Sequence, residues 1–387
     1  MHRHVIPDRL RTSGVFPASA AVCGSLALGL FPTACGNAPG LQPSDAGEQV
    51  VHVYNWADYI GRRTIAEFEA ATGIRVVYDT YDSEGTMEAV LLAGGSGYDV
   101  VGASTDTFSR EIKAGVYQPL EKSKLPNWKN LDTRTLARQN SADPSNRYAI
   151  PYLHAINGFS YNVDMIRARM PDAPVGSLDM LFKPEVIAHF KDCGVTFLDS
   201  AADMLQLALR YLHLDPNTSR REDLEKAAEL LLKVRPYIRN FDSSEYMNAL
   251  ANKEVCIAAS WSSDYAASRA RARAAGIIVN LAFTVPSEGA NVTFTGLLIP
   301  ADAPHPQAAH RFLNFLMEPR VIAEISNETH YGNDNAASRA FVDPELLNDP
   351  SIYPTPQIEA RLYESKEIST QTERIRTRVW TRIKTGI

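Results

Sequence analysis

Strand-like and helix-like segments alternate from residue 50 onward, and this alternation limits the folds open to the chain more than any other feature. The runs VVHVYNW, IRVVYDTYD and YDVVGAS have strand character, while TIAEFEAATG and EGTMEAVLLAGG have helical apolar spacing. Gly73 is a predicted helix stop. A βαβαβ order predicts a parallel sheet with right-handed crossovers, and ligands bind such sheets at the carboxyl ends of the strands.

A second α/β unit is predicted between about residues 154 and 272. It contains the strand-like CGVTFLDS and VCIAAS and the helix-like ADMLQLALRYLHL and DLEKAAELLLKV. Two further strands, VNLAFTVPSEG and VTFTGLLIPADA, and the helix PQAAHRFLNFLM follow it. Because 387 residues exceed the usual size of a single hydrophobic core, we expect two lobes.

The amino terminus has the pattern of a secretory signal. Arg3, Arg9 and Arg11 precede an apolar run of small residues that ends at Cys35. We predict a signal peptide over residues 1–34 and a flexible tether of Gly, Pro and polar residues over 35–49. Cys35 is a candidate for lipidation. Ordinary cleavage nearby is the alternative, since Pro32 stands where lipidation sites prefer Leu.

Composition and motif content exclude several classes of function. A net charge of −6 gives no general attraction to nucleic acid, so no nucleic-acid partner is predicted. His, Cys and carboxylate residues form no cluster at metal-ligand spacing, and the serines near aspartates lack a GxSxG elbow and a paired His. We therefore predict a protein that is not an enzyme and that carries no metal or cofactor.

Two cysteines remain beyond the signal segment, Cys193 and Cys256. In an oxidising compartment they can form a disulfide, provided that their Cα atoms lie within about 7 Å. The alternative is a pair of buried free thiols in two strands. The sequence leaves both open.

Aromatic and carboxylate side chains recur at the predicted ends of strands and at the starts of helices. Carboxylates neutralise ammonium groups, and the faces of Trp and Tyr attract cations and cover methylene chains, so this mixture favours a small organic amine. For the carboxylates at helix starts the alternative role is capping, and for Asp106 it is a solvated loop position. The tryptophans could instead be core residues. The candidates are Trp56, Asp58, Tyr59, Ser104, Asp106, Asp203, Trp261, Asp264 and Tyr331.

Residues from about 50 to 385 resemble the periplasmic polyamine-binding proteins of bacterial ABC transporters, in particular the putrescine-binding branch. The matching strings include YNWADYI, FEAATGIRVVYD, AGVYQPLEKSKLPNWKNLD, CGVTFLD and RTRVWTRIKTG, in this order. The resemblance implies a two-lobed, type II-like fold with ligand in the cleft between lobes, each lobe a mixed, mostly parallel sheet flanked by helices. It places lobe 1 at 50–153 plus 275–319 and lobe 2 at 154–274 plus 320–387.

The resemblance also implies roles for individual residues. Trp56, Trp261, Tyr59 and Tyr331 match the aromatic box of the family. Asp58 and Asp264 match carboxylates that hold amine ends, and Asp203 stands where the branch has Glu. Polar residues of the binding-site wall are matched by Ser104 and Ser243.

Four positions depart from the pattern of the putrescine-binding branch. Ala57 replaces a Ser, while Thr293 and Thr295 replace a Phe and a principal Asp anchor. Asp106 stands where the branch has Ser and could return a carboxylate from another direction. These departures bear on the ligand and leave the predicted fold unaffected.

The resemblance implies a monomeric periplasmic receptor that captures a putrescine-like diamine for uptake through the membrane permease of an ABC transporter. Cys35 is the residue through which the protein is a candidate for anchoring to a membrane. The alternatives are a different small amine or amino-acid-like solute on the same fold, and a ligand-loaded sensor that transports nothing.

Overall fold

The computed structural model describes residues 50–81 and 83–386, so the predicted signal peptide, the tether and Cys35 lie outside the described residues. The strands of the described part are β1 (Val50–Trp56), β2 (Arg75–Tyr81), β3 (Val100–Ser104), β4 (Ala149–Asn162), β5 (Val195–Phe197), β6 (Asn240–Phe241), β7 (Ile257–Trp261), β8 (Leu281–Thr284), β9 (Ala290–Leu298), β10 (Gly332–Asn333) and β11 (Leu362–Tyr363).

Helices flank these strands. The α-helices of the described part are α1 (Thr64–Thr72), α2 (Glu84–Leu92), α3 (Thr105–Lys113), α4 (Thr133–Gln139), α5 (Val163–Arg169), α6 (Asp179–Phe182), α7 (Pro184–Ile187), α8 (Ala201–Tyr211), α9 (Arg221–Val234), α10 (Tyr246–Ala251), α11 (Ser262–Ala274), α12 (Pro306–Leu316), α13 (Pro319–Thr329), α14 (Pro344–Leu347), α15 (Pro356–Glu359) and α16 (Thr370–Thr385). None of them combines the length and apolar character needed to span a bilayer.

The strands pair in the order β2-β1-β3-β9-β4-β7-β5-β6, with β8 and β10 paired to β4 and β11 paired to β9. The predicted βαβαβ unit is present, because β1 is parallel to both β2 and β3. The predicted stop of α1 is also present, since Gly73 has φ 71° and its N–H bonds back to the carbonyl of Glu69. Antiparallel pairing begins where β9 returns beside β3.

The strand β4 belongs to both halves of this sheet. Residues 149–156 pair with β9, and residues 157–161 pair with β7. The register against β9 shifts between Pro151 and Leu153, as expected where a proline lacks the N–H of the ladder. Where β4 changes its pairing partner from β9 to β7, the N–H of Ile156 donates to the hydroxyl of Ser262 at 3.1 Å.

Separate apolar cores lie against the two halves. One core joins the helices α6 to α9 with β5 and β7, and it includes Phe182, Phe197 and Leu224. Another contains residues of β1, α12 and α13, among them Val53, Val321 and Ile325. The predicted boundary after residue 319 assigns α13 to the second lobe. In the structure, α13 shares its core with β1, which the prediction assigns to the first lobe. The division into lobes itself stays a prediction.

The structure joins Cys193 and Cys256 in a disulfide, with Cα atoms 5.5 Å apart. Cys193 precedes β5 and Cys256 precedes β7, and these strands are parallel neighbours. Both cysteines are buried in the core of this half. The bond closes a loop with a sequence separation of 63 residues.

We expect the double change Cys193→Ser and Cys256→Ser to lower the free energy of unfolding by about 2–4 kcal/mol, because the bond restricts the unfolded chain. Thermal melts of the protein refolded with and without a thiol reductant measure this. The reductant should lower the melting temperature of the unaltered protein and leave that of the double variant unchanged. Equal responses of the two proteins would show that the cysteines are not paired.

His154 lies in β4 close to the change of partner, and its ring is held between two acceptors. Nδ1 lies 3.0 Å from Oδ1 of Asp334, and Nε2 lies 3.0 Å from the carbonyl oxygen of Ile352. A neutral imidazole donates from one nitrogen only, so both contacts require the charged ring. Burial and the nearby Arg138 lower the pKa of His154, but the Asp334 carboxylate and the two hydrogen bonds outweigh them and raise it above its usual value.

Because the folded state raises the pKa of His154, its protonation stabilises the fold at low pH. This contribution is fully present below the unfolded value of about 6.5 and is lost as the pH rises through the folded value. Urea melts across this range should show a smaller fall in stability with pH for His154→Asn than for the unaltered protein. Parallel curves for the two proteins would contradict the charged ring.

Candidate ligand-binding site

The parallel strands β1, β2 and β3 end at one edge of the sheet, and their last residues are Trp56, Tyr81 and Ser104. Parallel strands bring their carboxyl ends together, so this edge gathers side chains that are distant in sequence. The sequence indicated Trp56 and Ser104 here but missed Tyr81.

Aromatic rings form a connected group at this edge. The ring centroid of Trp56 lies 4.5 Å from that of Tyr81 and 6.4 Å from that of Tyr59. The ring of Tyr59 lies 4.5 Å from that of Tyr331, which precedes β10. The hydroxyl of Tyr81 donates to the carbonyl of Gly102 at 2.5 Å and so holds its ring in place. Three predicted aromatic residues therefore come together, and a fourth joins them.

Asp264 is a buried carboxylate beside this group, with 5% of its surface exposed. It lies in the first turn of α11, and it accepts hydrogen bonds from the hydroxyls of Tyr246, Tyr331 and Ser263, the last two at 3.2 Å. The N-cap residue Trp261 makes no side-chain cap, and Asp264 lies in the first turn, where its charge also favours the helix dipole. Burial raises the pKa of Asp264, while these hydrogen bonds and nearby Arg271 oppose the rise.

Asp203 occupies the first turn of α8 and faces the same region. Its Oδ2 accepts from the hydroxyl of Ser200 at 2.6 Å, and its N–H donates back to the Ser200 oxygen at 3.3 Å, so it also takes part in a helix cap. Its Oδ1 accepts from the amide of Asn157 at 2.9 Å. Burial raises the pKa of Asp203 to about 6, the charge of Asp106 adds to the rise, and hydrogen bonds from Ser200, Trp261 and Asn157 oppose it. Trp261 and Asp106 thus both lie close to Asp203.

Glu84, which the sequence analysis missed, forms a pair with Asp106. The hydroxyl of Ser104 lies 2.7 Å from Oε2 of Glu84 and 2.8 Å from Oδ1 of Asp106. Glu84 also accepts from the N–H of Ser104 at 2.7 Å and from the hydroxyl of Thr107 at 2.6 Å. The signal for Glu84 was present, because it opens the helix directly after β2 just as Asp106 follows β3.

The two threonines of β9 lie next to this edge. Thr295 is 3% exposed and pairs in register with Ser104 of β3, and its hydroxyl lies near that of Tyr59. Thr293 pairs with Ala155 of β4, and its hydroxyl accepts from the amide of Asn291 at 3.1 Å. Thr295 is therefore inside the site and beside the serine that holds the carboxylate pair.

Two predicted site residues lie elsewhere. Asp58 has φ 59°, its side chain is 82% exposed, and its carboxylate lies 3.9 Å from the guanidinium of Arg271. The predicted role of Asp58 in holding an amine end does not fit this placement, because the left-handed turn directs its carboxylate to solvent. Ser243 is exposed on the loop between β6 and α10, whereas it was predicted to line the wall.

The arrangement has the chemistry of a cation site. The charges of Glu84 and Asp106 act on each other, as do those of Asp106 and Asp203, and Asp264 accepts hydrogen bonds from Tyr331 and Tyr246. Partly buried carboxylates gain from a positive partner, and aromatic faces attract the same charge. Within residues 50–81 and 83–386, no group of His, Cys, Asp and Glu has the geometry to hold a metal ion.

Comparison with known proteins gives close relatives. Residues 63–354 match the family model of bacterial extracellular solute-binding proteins. A putrescine-binding periplasmic protein of Pseudomonas aeruginosa is 45% identical over 355 residues, which cover 92% of this chain and 96% of that protein. A putrescine/agmatine-binding protein of Pseudomonas aeruginosa is 42% identical over 366 residues, covering 94% of this chain and 99% of that protein.

A solved structure agrees with these matches. The spermidine/putrescine ABC transporter substrate-binding protein of Streptococcus pneumoniae superposes with a TM-score of 0.74 at 25% identity, covering 88% of this chain and 99% of its own. The predictions of the fold class and of a binding protein that is not an enzyme are confirmed, as is a location outside the cytoplasm. The chain belongs to the family of bacterial extracellular solute-binding proteins.

Proposed function

We propose that the protein captures a diamine of the putrescine class and delivers it to the membrane permease of an ABC transporter. The observation that carries this proposal is the placement of carboxylates around one aromatic group. Glu84, Asp106 and Asp203 form one electrostatically linked set, and Asp264 is hydrogen-bonded to Tyr331. Relatives named for binding putrescine, or putrescine and agmatine, support the same ligand class.

Each part of the site has a separate task in this proposal. One ammonium group of the diamine binds between Asp106 and Asp203, and the other binds Asp264, each through charge-assisted hydrogen bonds. Trp56, Tyr59 and Trp261 cover the carbon chain between the two charges. The carboxylate lost at Thr295 is replaced by Asp106, because Thr295 pairs in register with Ser104, whose hydroxyl contacts Asp106.

Closure of the two proposed lobes would complete the site. Glu84 and Asp106 belong to the half of the sheet that contains β1, while Asp203 and Asp264 start helices that follow β5 and β7. A ligand held by both sets has a higher affinity for the closed arrangement than for an open one, so its binding shifts the population toward closure. The strand β4 joins the halves and is the proposed hinge.

The same fold could instead serve a different small amine or an amino-acid-like solute, and Thr295 is the observation that favours this second candidate. Its hydroxyl faces Tyr59 inside the site. Improved diamine binding by Thr295→Asp, together with a response of the unaltered protein to another solute, would support this alternative. A sensor and a transport component are distinguished by measuring diamine uptake in cells that produce the protein and its permease. If the protein is a sensor, these cells should take up no diamine through it.

The remaining parts of the proposal concern location and assembly. We place the protein in the periplasm as a monomer without a nucleic-acid partner, and Cys35 as its candidate membrane anchor. Mass spectrometry of the mature amino terminus distinguishes a lipidated Cys35 from plain cleavage. Light scattering measures the oligomeric state.

We expect putrescine or a related diamine to raise the melting temperature of the mature protein after it has been unfolded and refolded to remove carried-over ligand. At about 100 times its dissociation constant, a ligand adds about 2.7 kcal/mol of stability. The panel contains putrescine, cadaverine, agmatine, spermidine, spermine, amino acids and quaternary amines. No shift with any polyamine would contradict the proposed ligand class.

Asp264→Asn should weaken diamine binding about tenfold to a hundredfold, because a charged hydrogen bond contributes about 1.5–3 kcal/mol. Asp58→Asn is the matched control, since it makes the same chemical change at a carboxylate that is 82% exposed. It should change the dissociation constant by no more than about threefold. Calorimetric titrations of both variants, after their melts show folded protein, measure the effect. Equal losses in the two variants would contradict the assignment of Asp264.

A further inference from the structure

We propose that Glu84 and Asp106 share one proton through Ser104, and that binding of an ammonium group releases this proton to solvent. This inference rests on the proposed function, because it concerns the same site and the same ligand class. Its consequence is that amine capture depends on pH through one defined pair of side chains.

Counting hydrogens at Ser104 leads to this inference. Its hydroxyl carries one hydrogen but lies 2.7 Å from Oε2 of Glu84 and 2.8 Å from Oδ1 of Asp106. An ionised carboxylate only accepts, so the single hydrogen of Ser104 can satisfy one of these contacts. The other is a hydrogen bond only if that carboxyl group carries a proton and donates it to the serine oxygen.

The neighbouring donors do not remove this requirement. Thr107 gives its hydrogen to Glu84 at 2.6 Å, and the N–H of Ser104 donates to the other oxygen of Glu84 at 2.7 Å. Arg110 is the cation on the same helix as Asp106, but its guanidinium contacts the backbone carbonyl of Asp106 and the carboxylate of Glu88. The carboxylate of Asp106 therefore has no side-chain cation bonded to it among the described residues.

The electrostatic surroundings favour the shared proton. Burial raises the pKa of Glu84, the charge of Asp106 adds to the rise, and hydrogen bonds from Thr107 and Ser104 oppose it. The titratable or charged groups that face the pair from the adjacent elements are Tyr59, Tyr81, Arg110, Glu111, Tyr117, Asp203 and Arg376. Glu111 and Asp203 are further acids that disfavour a doubly ionised pair, whereas Arg110 and Arg376 favour it. Burial together with Asp106 leaves the pKa of Glu84 raised.

An arriving ammonium group replaces the proton as the positive partner. The protonated carboxyl group loses its hydrogen to solvent, the ammonium keeps all its own hydrogens, and it donates to the two carboxylates. The total charge of the two carboxyl groups and their positive partner is therefore the same before and after the ammonium group replaces the proton. Binding is then tighter at higher pH, where less proton has to be displaced, by up to about tenfold per pH unit while the pair is protonated.

The experiment is a calorimetric titration of the mature protein with putrescine in phosphate and in a sulfonate buffer of larger ionisation enthalpy. Tris is omitted because it is itself an amine. We expect the measured heat to depend on the buffer by close to one released proton per putrescine at a pH where the pair holds its shared proton, and by less as the pH is raised. Asp106→Asn should abolish most of this release, because Glu84 then has no second carboxylate at Ser104 with which to share a proton.

Asp203→Asn is the comparison variant, since burial raises the pKa of this second acid to about 6. Because the proposed function places Asp203 at the same ammonium group, weaker binding is expected, and proton release is therefore compared per bound putrescine at saturation. The inference is supported if this variant keeps the proton release that Asp106→Asn loses. It is overturned if the heat is the same in every buffer, or if the release disappears with Asp203 and stays without Asp106. In both of those outcomes putrescine still binds, so the proposed function stands.

A measurement without amine keeps the inference testable if putrescine does not bind at all. Carbon-13 NMR of the side-chain carboxyl groups should show Glu84 still protonated at a pH where exposed glutamates are ionised, and ionising at lower pH in Asp106→Asn. An ordinary titration of Glu84 in the unaltered protein would overturn the shared proton. A failure of binding alone would overturn the proposed function and the proton release that rests on it.

Discussion

The continuous hydrogen bonding of β4 is the constraint on which the rest of the structure depends. Its first part pairs with β9 and its second part with β7, so the positions of both halves of the sheet are set by one strand. Thr295 and Trp261 enter the site from these two partner strands. Because nearly all of β4 is buried, it has little freedom to shift register, and the side chains that depend on it are held in fixed relation.

The sequence predicted those parts of the site that follow from the alternation of strands and helices. Trp56 and Ser104 were placed because they end parallel strands, and the same rule applied to β2 would have found Tyr81 and Glu84. Asp58 was misplaced because a left-handed φ of 59° at a single residue decides the direction of its carboxylate. The burial of α13 in the same core as β1 was beyond sequence reasoning, since an apolar helix face does not identify the core that buries it.

Burying several carboxylates near aromatic rings has a cost that the fold must offset. Hydrogen bonds from Tyr246, Tyr331 and Ser263 stabilise the charge of Asp264, and those from Ser200 and Asn157 stabilise that of Asp203. The raised pKa values of both aspartates show that these contacts compensate only part of the burial. A site of this kind favours a cation, because a positive charge would offset the remaining cost of burying the carboxylates.

The exposed carboxylate of Asp58 has a consequence for the speed of capture. A charge in water at the edge of a site attracts an oppositely charged solute before any contact is made, and it loses that influence as ions screen it. For the proposed diamine, Asp58 together with the net charge of −6 would act on the association rate, while the buried Asp264 would act on the residence time. In the proposed function, the encounter with the ligand and its retention would thus depend on different carboxylates of one protein.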